Sequence, residues 1–307
     1  MIRHRPFGSG HPYSVDTEQR SPVDPIAGEP VILGVRTSSD VTAVTIEIER
    51  DGATEILELG PTTRQSRGQV VDGGHLASAQ ARLARASGGW QVAVGELVAG
   101  EPVRYRFIAV GARTERTRWF EFIASSWANS EVALRVACGD RVIPGTVTIL
   151  SDGDRVHRLR FALPLARTER ITGLGERFDA LDHRGSRLDS VVFEQYKSQG
   201  AERKTYLPMP FAHVVGADGW GFHVRTSRRV WFDFGESESD RVWVELEVDA
   251  APGEPAAEVA FYAGSPREVL DAFLGDVGRP EELPSWVFRL WASANEWNTQ
   301  AEVIKQV

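Results

Sequence analysis

The sequence predicts a mainly β protein, with two β-sandwiches in series and a short strand–loop–helix segment at its end. Short segments of alternating apolar residues recur along most of the chain, separated by turn residues such as Asp51-Gly52 and Asp152-Gly153. Helical periodicity is rare before residue 265. Strands that follow one another without helices between them are typical of a sandwich. The change of pattern near the end of the chain predicts a different domain there.

Residues 21–125 carry the pattern of the first sandwich, whereas residues 1–20 have no periodicity and predict a leader arm. The predicted strands are Val31–Val35, Val41–Ile48, Ile56–Leu59, Trp90–Val94, Val103–Ala109 and Trp119–Ile123. Leu76–Ala86 has a hint of helical character, but the glycine pairs on either side favour a surface loop equally. We place the boundary of this sandwich at Ala124–Ser126.

Residues 126–278 predict a second, larger sandwich that ends in a helix. Its predicted strands are Val132–Cys138, Val142–Leu150, Val156–Leu163, Gly219–Arg225, Val230–Phe234, Val242–Val248 and Ala257–Tyr262. Ser265 can cap the helix and Pro266 suits its first turn. Glycine at position 275 or 278 predicts the end of this helix.

Residues 279–307 predict a linker and one βα unit. Two prolines stiffen the approach, and Trp286–Ala292 is almost continuously apolar, as in a strand that is covered on both faces. A polar loop follows over Ser293–Asn298, and Thr299 with Glu302 has the spacing of a capping box. One βα unit cannot bury its own strand, so we expect the chain to stop where a larger domain begins.

The composition limits the partners of the protein. A net charge of -8 and an isoelectric point near 5.5 argue against nucleic acid, because phosphate binding needs a basic face. No segment approaches the ~18 apolar residues of a membrane span, and the N-terminus has no apolar signal core, so we expect no membrane partner and a cytoplasmic location. The single cysteine, Cys138, cannot form an internal disulfide, and we predict that it is buried.

The densest polar stretch of the chain runs from Gly173 to Gly185. It begins as G-x-G, but Phe178 stands where a dinucleotide-binding loop needs its third glycine, so a phosphate cradle is not expected. His183 has no second histidine within reach of a shared metal, and we predict a solvated loop position for it. Nearby carboxylates such as Glu176 could serve sugar hydrolysis only as a facing pair, which spacing in a loop does not establish.

Aromatic residues are unusually frequent, with nine tryptophans, and several lie outside an alternating core pattern. These residues are Phe193, Tyr196, Tyr206, Trp291 and Trp297. Sugars stack their C–H faces on aromatic rings while their hydroxyls bond charged and amide groups, so aromatics mixed with acids, amides and arginine favour a carbohydrate pocket. Core packing is the alternative interpretation for Trp291 and Trp297.

Residues 173–307 resemble glycoside hydrolase family 31, the α-glucosidase and α-xylosidase group. The motifs that carry the resemblance are GLGERF from Gly173, TYLPMPF over residues 205–211, GWGFHV from Gly219, RVWFDFG from Arg229, GSPREVLD from Gly264, and Gly278-Arg-Pro leading to Leu290-Trp291. Each motif alone is weak, but their order and spacing together are specific. Residues 21–125 resemble only a generic immunoglobulin-like sandwich.

The resemblance implies a galactose-mutarotase-like β-sandwich over residues 126–278, followed by the truncated start of a (β/α)8 barrel over residues 279–307. It implies retaining hydrolysis by two aspartates on barrel loops that lie downstream of Val307, so no catalytic residue is assigned in this chain. It further implies an α-glucoside or α-xyloside substrate and no cofactor. The residues that it places at the sugar are Trp297, after the first barrel strand, and Glu194, Gln195 and Tyr196 in the long loop Ser190–Thr205.

The sequence leaves two functional hypotheses open. The first is the N-terminal portion of a retaining α-glycosidase that needs a C-terminal barrel as its partner and is inactive alone. The alternative is a non-catalytic carbohydrate-binding sandwich protein, or a non-functional remnant of the enzyme. An unpaired apolar strand over Trp286–Trp291 also predicts aggregation of the isolated chain.

Overall fold

The computed structural model describes residues 1–10, 15–62, 87–95, 97–193, 199–216, 218–291 and 299–306. These residues divide into a compact unit of residues 1–269 and a smaller unit of residues 270–307. The larger unit is mainly β and contains two separate clusters of buried apolar side chains. The helix hinted at over Leu76–Ala86 lies outside the described residues.

The first pair of sheets is built from residues 1–123. Its strands are β1 (Ile2–Arg3), β2 (Arg20–Ser21), β3 (Val31–Ser38), β4 (Ala43–Arg50), β5 (Ala53–Glu58), β6 (Gly60–Pro61), β7 (Ser87–Val94), β8 (Pro102–Val110), β9 (Thr114–Arg116) and β10 (Phe120–Ile123). Within the described ranges, one sheet has the order β1-β3-β7-β6 with β2 beside β3, and the other has the order β10-β8-β4-β5 with β9 beside β8. The strands predicted in this region are confirmed.

Alternation explains how these two sheets form one core. Inward-facing residues of β4 and β8, among them Ile46, Ile48 and Phe107, are completely buried, while their neighbours in sequence stay partly exposed. The N-terminal residues also contribute, since β1 and β2 both pair with β3 and bring His4 into the buried cluster. Residues at both ends of the predicted leader arm are therefore paired with β3 in the first sandwich, which the sequence did not predict.

The second pair of sheets follows. Its strands are β11 (Ser126–Asn129), β12 (Leu134–Ala137), β13 (Thr148–Ser151), β14 (Val156–Pro164), β15 (Arg170–Gly175), β16 (Arg187–Asp189), β17 (Pro208–Val215), β18 (Trp220–Val224), β19 (Val230–Asp233), β20 (Arg241–Ala250) and β21 (Ala257–Ala263). A 3-10 helix, Glu131–Ala133, precedes β12. Among the described residues the sheet orders are β11-β13-β14-β20-β19-β16 and β12-β21-β18-β17-β15.

The predicted strands of this second pair are confirmed, with two shorter than expected. β12 and β13 occupy only part of Val132–Cys138 and Val142–Leu150. The prediction that Cys138 is buried is wrong: it is exposed just beyond β12, with a positive φ of 60°. A strand end at the sheet surface leaves no neighbouring side chains to cover it.

The G-x-G of the polar stretch has a structural role in β15. Residues 173–175 all have positive φ, and the pairing of β15 with β17 shifts register between Gly173 and Gly175. A Cβ on Gly175 would lie 1.9 Å from the carbonyl oxygen of Leu207, and one on Gly173 would lie 2.8 Å from that of Phe211. These glycines are therefore required for close strand contact at a bulge.

Two helices with capping boxes complete the described fold. Helix α1 (Pro266–Val277) begins after Ser265, whose hydroxyl accepts from Glu268 N at 3.4 Å while the Glu268 carboxylate accepts from Ser265 N at 2.8 Å. Helix α2 (Gln300–Gln306) begins after Thr299, which exchanges the same bonds with Glu302 at 3.2 and 3.0 Å. Both N-terminal predictions are confirmed.

The strand predicted over Trp286–Ala292 is wrong for the part that the structure describes. Ser285–Phe288 form a 3-10 helix, and Trp291 Nε1 donates to the Val287 carbonyl oxygen at 2.7 Å. A buried parallel strand needs neighbours along both edges, and none of the described residues pairs with this segment. Ala292 and the loop Ser293–Asn298 lie outside the described residues.

We predict that the exposed aromatic cluster of this segment makes the isolated chain self-associate. Trp286, Phe288 and Leu290 are 57, 77 and 97% exposed, so three large apolar side chains within five residues face water. Replacing all three by serine should convert a self-associating chain into a monomer on size-exclusion chromatography. The control is Ile56→Ser, which removes an isolated exposed apolar residue of β5 and should leave association unchanged. A monomeric wild-type chain would contradict the prediction.

Candidate functional site

The stems of the predicted sugar-contacting loop, Ser190–Thr205, are joined to each other. Val192 forms a β-bridge with Thr205, and Phe193 N donates to the Thr205 carbonyl oxygen at 2.9 Å. Gln199 Nε2 donates to the Phe193 carbonyl oxygen at 3.1 Å, so the chain closes on itself within a few residues. The two ends of the loop are therefore hydrogen-bonded to each other. Glu194, Gln195 and Tyr196, which were predicted to contact the sugar from this loop, lie outside the described residues, and so does Trp297.

A charged cluster around Asp189 anchors this loop to the six-stranded sheet. Asp189 ends β16 with its side chain 5% exposed, and its Oδ2 accepts from Lys204 Nζ at 2.7 Å and from Arg229. Arg177 spans the same junction, because it donates to the carbonyl oxygens of Asp189 at 2.7 Å and Arg203 at 3.1 Å. Burial lowers the pKa of Arg177, an effect that the nearby carboxylates of Asp179 and Asp189 oppose. We call Asp189, Lys204, Arg229 and Arg177 the Asp189 clamp.

Beside the clamp, the outer face of the six-stranded sheet carries a cleft of about 630 Å³. One cross-strand row of its floor runs from Arg160 to Glu245, then to Trp231 and Asp189, each residue directly opposite the next on the neighbouring strand. A pleated sheet places such a row on one face. Four strands distant in sequence thus bring an arginine, two acids and a tryptophan into line.

A second cross-strand row lies two residues along the same strands. It runs from Trp243 to Asp233 and Arg187, and Arg187 Nε bonds the Asp233 carboxylate at 2.9 Å. Burial pushes the pKa of Asp233 upward, but hydrogen bonds from Ser237, Arg187 and the backbone hold it below its usual value, so this acid is ionised. The floor therefore combines two tryptophan rings with charged groups on neighbouring strands.

Most charges of the cleft floor are already matched within the protein. Glu245 Oε1 bonds Arg158 Nη1 at 2.9 Å, and Trp243 Nε1 donates to Glu238 Oε1 at 2.8 Å. Arg160 differs: its guanidinium lies over the rings of Trp127 and Trp243 at 4.6 and 5.2 Å, and its buried Nε finds no hydrogen-bond acceptor among the described residues. Arg160 is thus a stacked cation of the floor that has no ion-pair partner among the described residues.

The structure places the other residues that the sequence singled out in different environments. Phe193 is buried, Tyr206 is half-exposed and Trp291 is exposed. The prediction of a solvated His183 is wrong: it is 2% exposed, with its backbone N bonded to the Ile171 carbonyl oxygen at 2.8 Å, and burial lowers its pKa. Packing of the 182–186 turn against β15 explains the burial. In the described ranges, no group of three His, Cys, Asp or Glu side chains could hold a metal.

The cleft was not predicted from the sequence, although two of its residues lie in a motif that the sequence analysis quoted. Trp231 and Asp233 stand at the outward positions of a predicted strand, inside the quoted motif from Arg229. A tryptophan at an outward position of a strand is the signal that was available. No helix of the described chain is long and apolar enough to cross a bilayer.

The described fold is of one class: two β-sandwiches in series, each with its own buried core. Residues 8–109 match the 1,3-alpha-isomaltosidase-like N-terminal domain, and residues 113–233 match the N-terminal galactose mutarotase-like domain of glycosyl hydrolase 31. The resemblance to family 31 is thereby confirmed, and the chain belongs to the N-terminal region of that family.

Individual relatives agree with this assignment. A 1,3-alpha-isomaltosidase from Kribbella flavida is 49% identical over 98% of this chain and 40% of its own length. A cycloalternan-degrading enzyme from Trueperella pyogenes, solved in complex with a covalent intermediate, is 41% identical with a TM-score of 0.86, over 100% of this chain and 42% of that one. The same enzyme in complex with isomaltose is 38% identical, with a TM-score of 0.83, over 100% of this chain and 40% of that one. The chain thus spans about 40% of the length of these relatives.

Proposed function

We propose that this chain is the N-terminal portion of a retaining α-glycosidase that hydrolyses α-glucosides or α-xylosides. The observation that carries the proposal is 49% identity to a 1,3-alpha-isomaltosidase along nearly the whole chain. Within that range we favour α-glucans with isomaltose units as substrates. In retaining hydrolysis one carboxylate attacks the anomeric carbon and a second acts as acid and then base.

The role proposed for this chain is to shape the sugar pocket rather than to break the bond. The family resemblance puts both catalytic aspartates on barrel loops beyond Val307. Glu194, Gln195 and Tyr196 would reach the sugar from the loop that the Asp189 clamp holds, and Trp297 would line the pocket after the first barrel strand. The support for the loop residues is that both stems of their loop are hydrogen-bonded in place.

We further propose the domain division that the sequence predicted, with residues 1–20 as an arm whose paired residues join the first sandwich: an immunoglobulin-like sandwich over 21–125, the mutarotase-like domain over 126–278, and a barrel start over 279–307. Two separate buried clusters support the two sandwiches, and the capped helix α2 supports the barrel start. The cytoplasmic location remains a prediction.

The proposal predicts that purified chain 1–307 has no glycosidase activity, whereas the protein encoded by the uninterrupted reading frame has it. Both proteins are assayed with isomaltose and with aryl α-glucosides and α-xylosides. Turnover by chain 1–307 that a substitution inside it abolishes would overturn the assignment of catalysis to downstream residues. A longer protein that cleaves none of these substrates would overturn the enzymatic proposal itself.

A further inference from the structure

We propose that the cleft on the outer face of the six-stranded sheet is a carbohydrate-binding site for a short, neutral α-linked glucose oligosaccharide. The ligand class rests on three features of the cleft: two tryptophan rings, hydrogen-bonding groups of both charges beside them, and a charge balance that disfavours anions. The choice of α-linked glucose rests on the proposed function, whereas the site itself rests on the cleft alone.

The aromatic part of the floor consists of Trp231 and Trp243. Both are half-buried on neighbouring strands, so each presents part of its ring to the cleft and is held by the sheet below. Arg158 and Arg229 lie over Trp231 at 5.1 and 4.9 Å, so the ring surface open to a ligand is the part that lines the cleft. Rigid aromatic rings in a concave surface are suited to stacking with the C–H faces of a sugar ring.

The charges of the cleft favour a neutral ligand. Its lining has four cationic side chains, from Arg160, Arg187, Arg203 and Lys204, against five acids, from Asp189, Glu202, Asp233, Glu238 and Glu245. An anion such as a phosphate would meet this acidic excess with only Arg160 and Arg203 to offset it, since Lys204 and Arg187 are already paired with Asp189 and Asp233. Hydroxyl groups, which both donate and accept, match a surface of mixed charge.

Arg160 supplies the directional contact. Stacking between Trp127 and Trp243 fixes the plane of its guanidinium. Within the part of the chain that the structure describes, no carboxylate forms an ion pair with it, in contrast to Arg158 in the same strand, which pairs with Glu245. A fixed planar donor beside two rings is a group that can bond sugar hydroxyls at little entropic cost.

The size of the cleft is consistent with a short oligosaccharide. Its volume of about 630 Å³ lies within the roughly 300–1,000 Å³ of small-molecule sites. Residues 202–204 form one wall and residues 237–238 form another, so the floor is bounded on two sides. A bounded floor limits the length of glycan that can lie in contact with it.

The test is a titration of chain 1–307 with isomaltose, followed by tryptophan fluorescence and by saturation-transfer NMR of the sugar. We expect saturable binding, and we expect Arg160→Met to weaken it about tenfold, the effect of losing one or two hydrogen bonds. Trp231→Ala should weaken it at least as much. The matched control is Trp119→Ala, which removes a half-buried tryptophan stacked with Arg104 and Arg106 at 4.8 and 4.5 Å on the first sandwich. It should leave binding unchanged.

Three outcomes would overturn this inference. They are no binding of isomaltose, equal affinity of the wild-type chain and Arg160→Met, or tighter binding of inorganic phosphate than of isomaltose. A fourth variant, Trp297→Ala, separates the two proposals. Binding that Trp297→Ala abolishes and Arg160→Met spares would support the proposed pocket residue and exclude the cleft. Binding that is lost only in the Arg160 and Trp231 variants would establish the cleft whether or not the longer protein is a glycosidase.

Discussion

Replacing Asp189 with alanine should lower the free energy of unfolding of this chain by about 3 kcal/mol. The carboxylate is almost completely buried and bonds both Lys204 and Arg229. Removal of one partner from a buried pair costs about 3–5 kcal/mol, because the remaining charge is left without compensation. The lower end applies here, since both cationic side chains are about one-quarter exposed and can reach water in part. Asp189→Asn, which keeps an acceptor oxygen, should lose less.

Urea unfolding followed by tryptophan fluorescence measures this loss. The matched control is Glu49→Ala, which breaks an exposed ion pair with Arg104 at 3.3 Å and should cost well under about 1 kcal/mol. A second readout is tryptic cleavage at Arg203 and Lys204, which should accelerate in Asp189→Ala because the clamp holds these residues to the sheet. Equal urea midpoints for the two variants would show that the clamp does not stabilise the loop.

Acidification from pH 6.5 to pH 4 should destabilise the first sandwich by roughly 3 kcal/mol through His4 alone. Burial is the largest cause that lowers the pKa of His4 to about 4, and the Arg20 guanidinium acts in the same direction. The neutral ring has two partners: Nδ1 donates to the Gly34 carbonyl oxygen at 2.6 Å, and Nε2 bonds the Tyr105 hydroxyl at 2.9 Å. Protonation would place a second N–H donor against the buried Tyr105 hydroxyl. Burial raises the pKa of that hydroxyl to about 12.

The sign of the effect follows from proton binding. Below pH 6.5 His4 becomes protonated in the unfolded chain but stays neutral in the folded chain. The contribution of His4 to the free energy of unfolding is therefore complete above pH 6.5 and is lost as the pH falls to about 4. The difference of roughly 2.5 pKa units corresponds to roughly 3 kcal/mol. His4→Gln should be less stable at neutral pH but lose less stability on acidification than the wild type. The same slope of urea midpoint against pH in both proteins would contradict the prediction.

Much of the β architecture could be predicted because one face of each sheet is buried. In β4, β8 and β20 the buried residues alternate with exposed ones, and this alternation is visible in the sequence. β17 was missed because its two prolines are unusual in a central strand. They are tolerated where the register with β15 shifts, and the shift depends on contacts with glycines more than 30 residues away, which no local pattern encodes.

The tail and the site show two different limits of sequence reasoning. Trp286–Trp291 has the composition of a buried strand, yet composition does not supply neighbouring strands, and Ser285–Phe288 form a 3-10 helix instead. The cleft depends on the register that aligns Arg160, Glu245 and Trp231 on three strands. Such an alignment is a property of the sheet rather than of any segment. The residues Glu194, Gln195, Tyr196 and Trp297 were obtained from family resemblance, and they remain predictions.

We propose that this chain belongs to an α-glycosidase whose bond-breaking carboxylates lie outside it. The most direct measurement is isomaltose hydrolysis by two purified proteins, chain 1–307 and the product of the uninterrupted reading frame, with the anomer released followed by NMR. We expect no turnover by chain 1–307, and we expect the longer protein to release the α-anomer, as retention requires. Hydrolysis by chain 1–307 itself, or β-configured product from the longer protein, would contradict it.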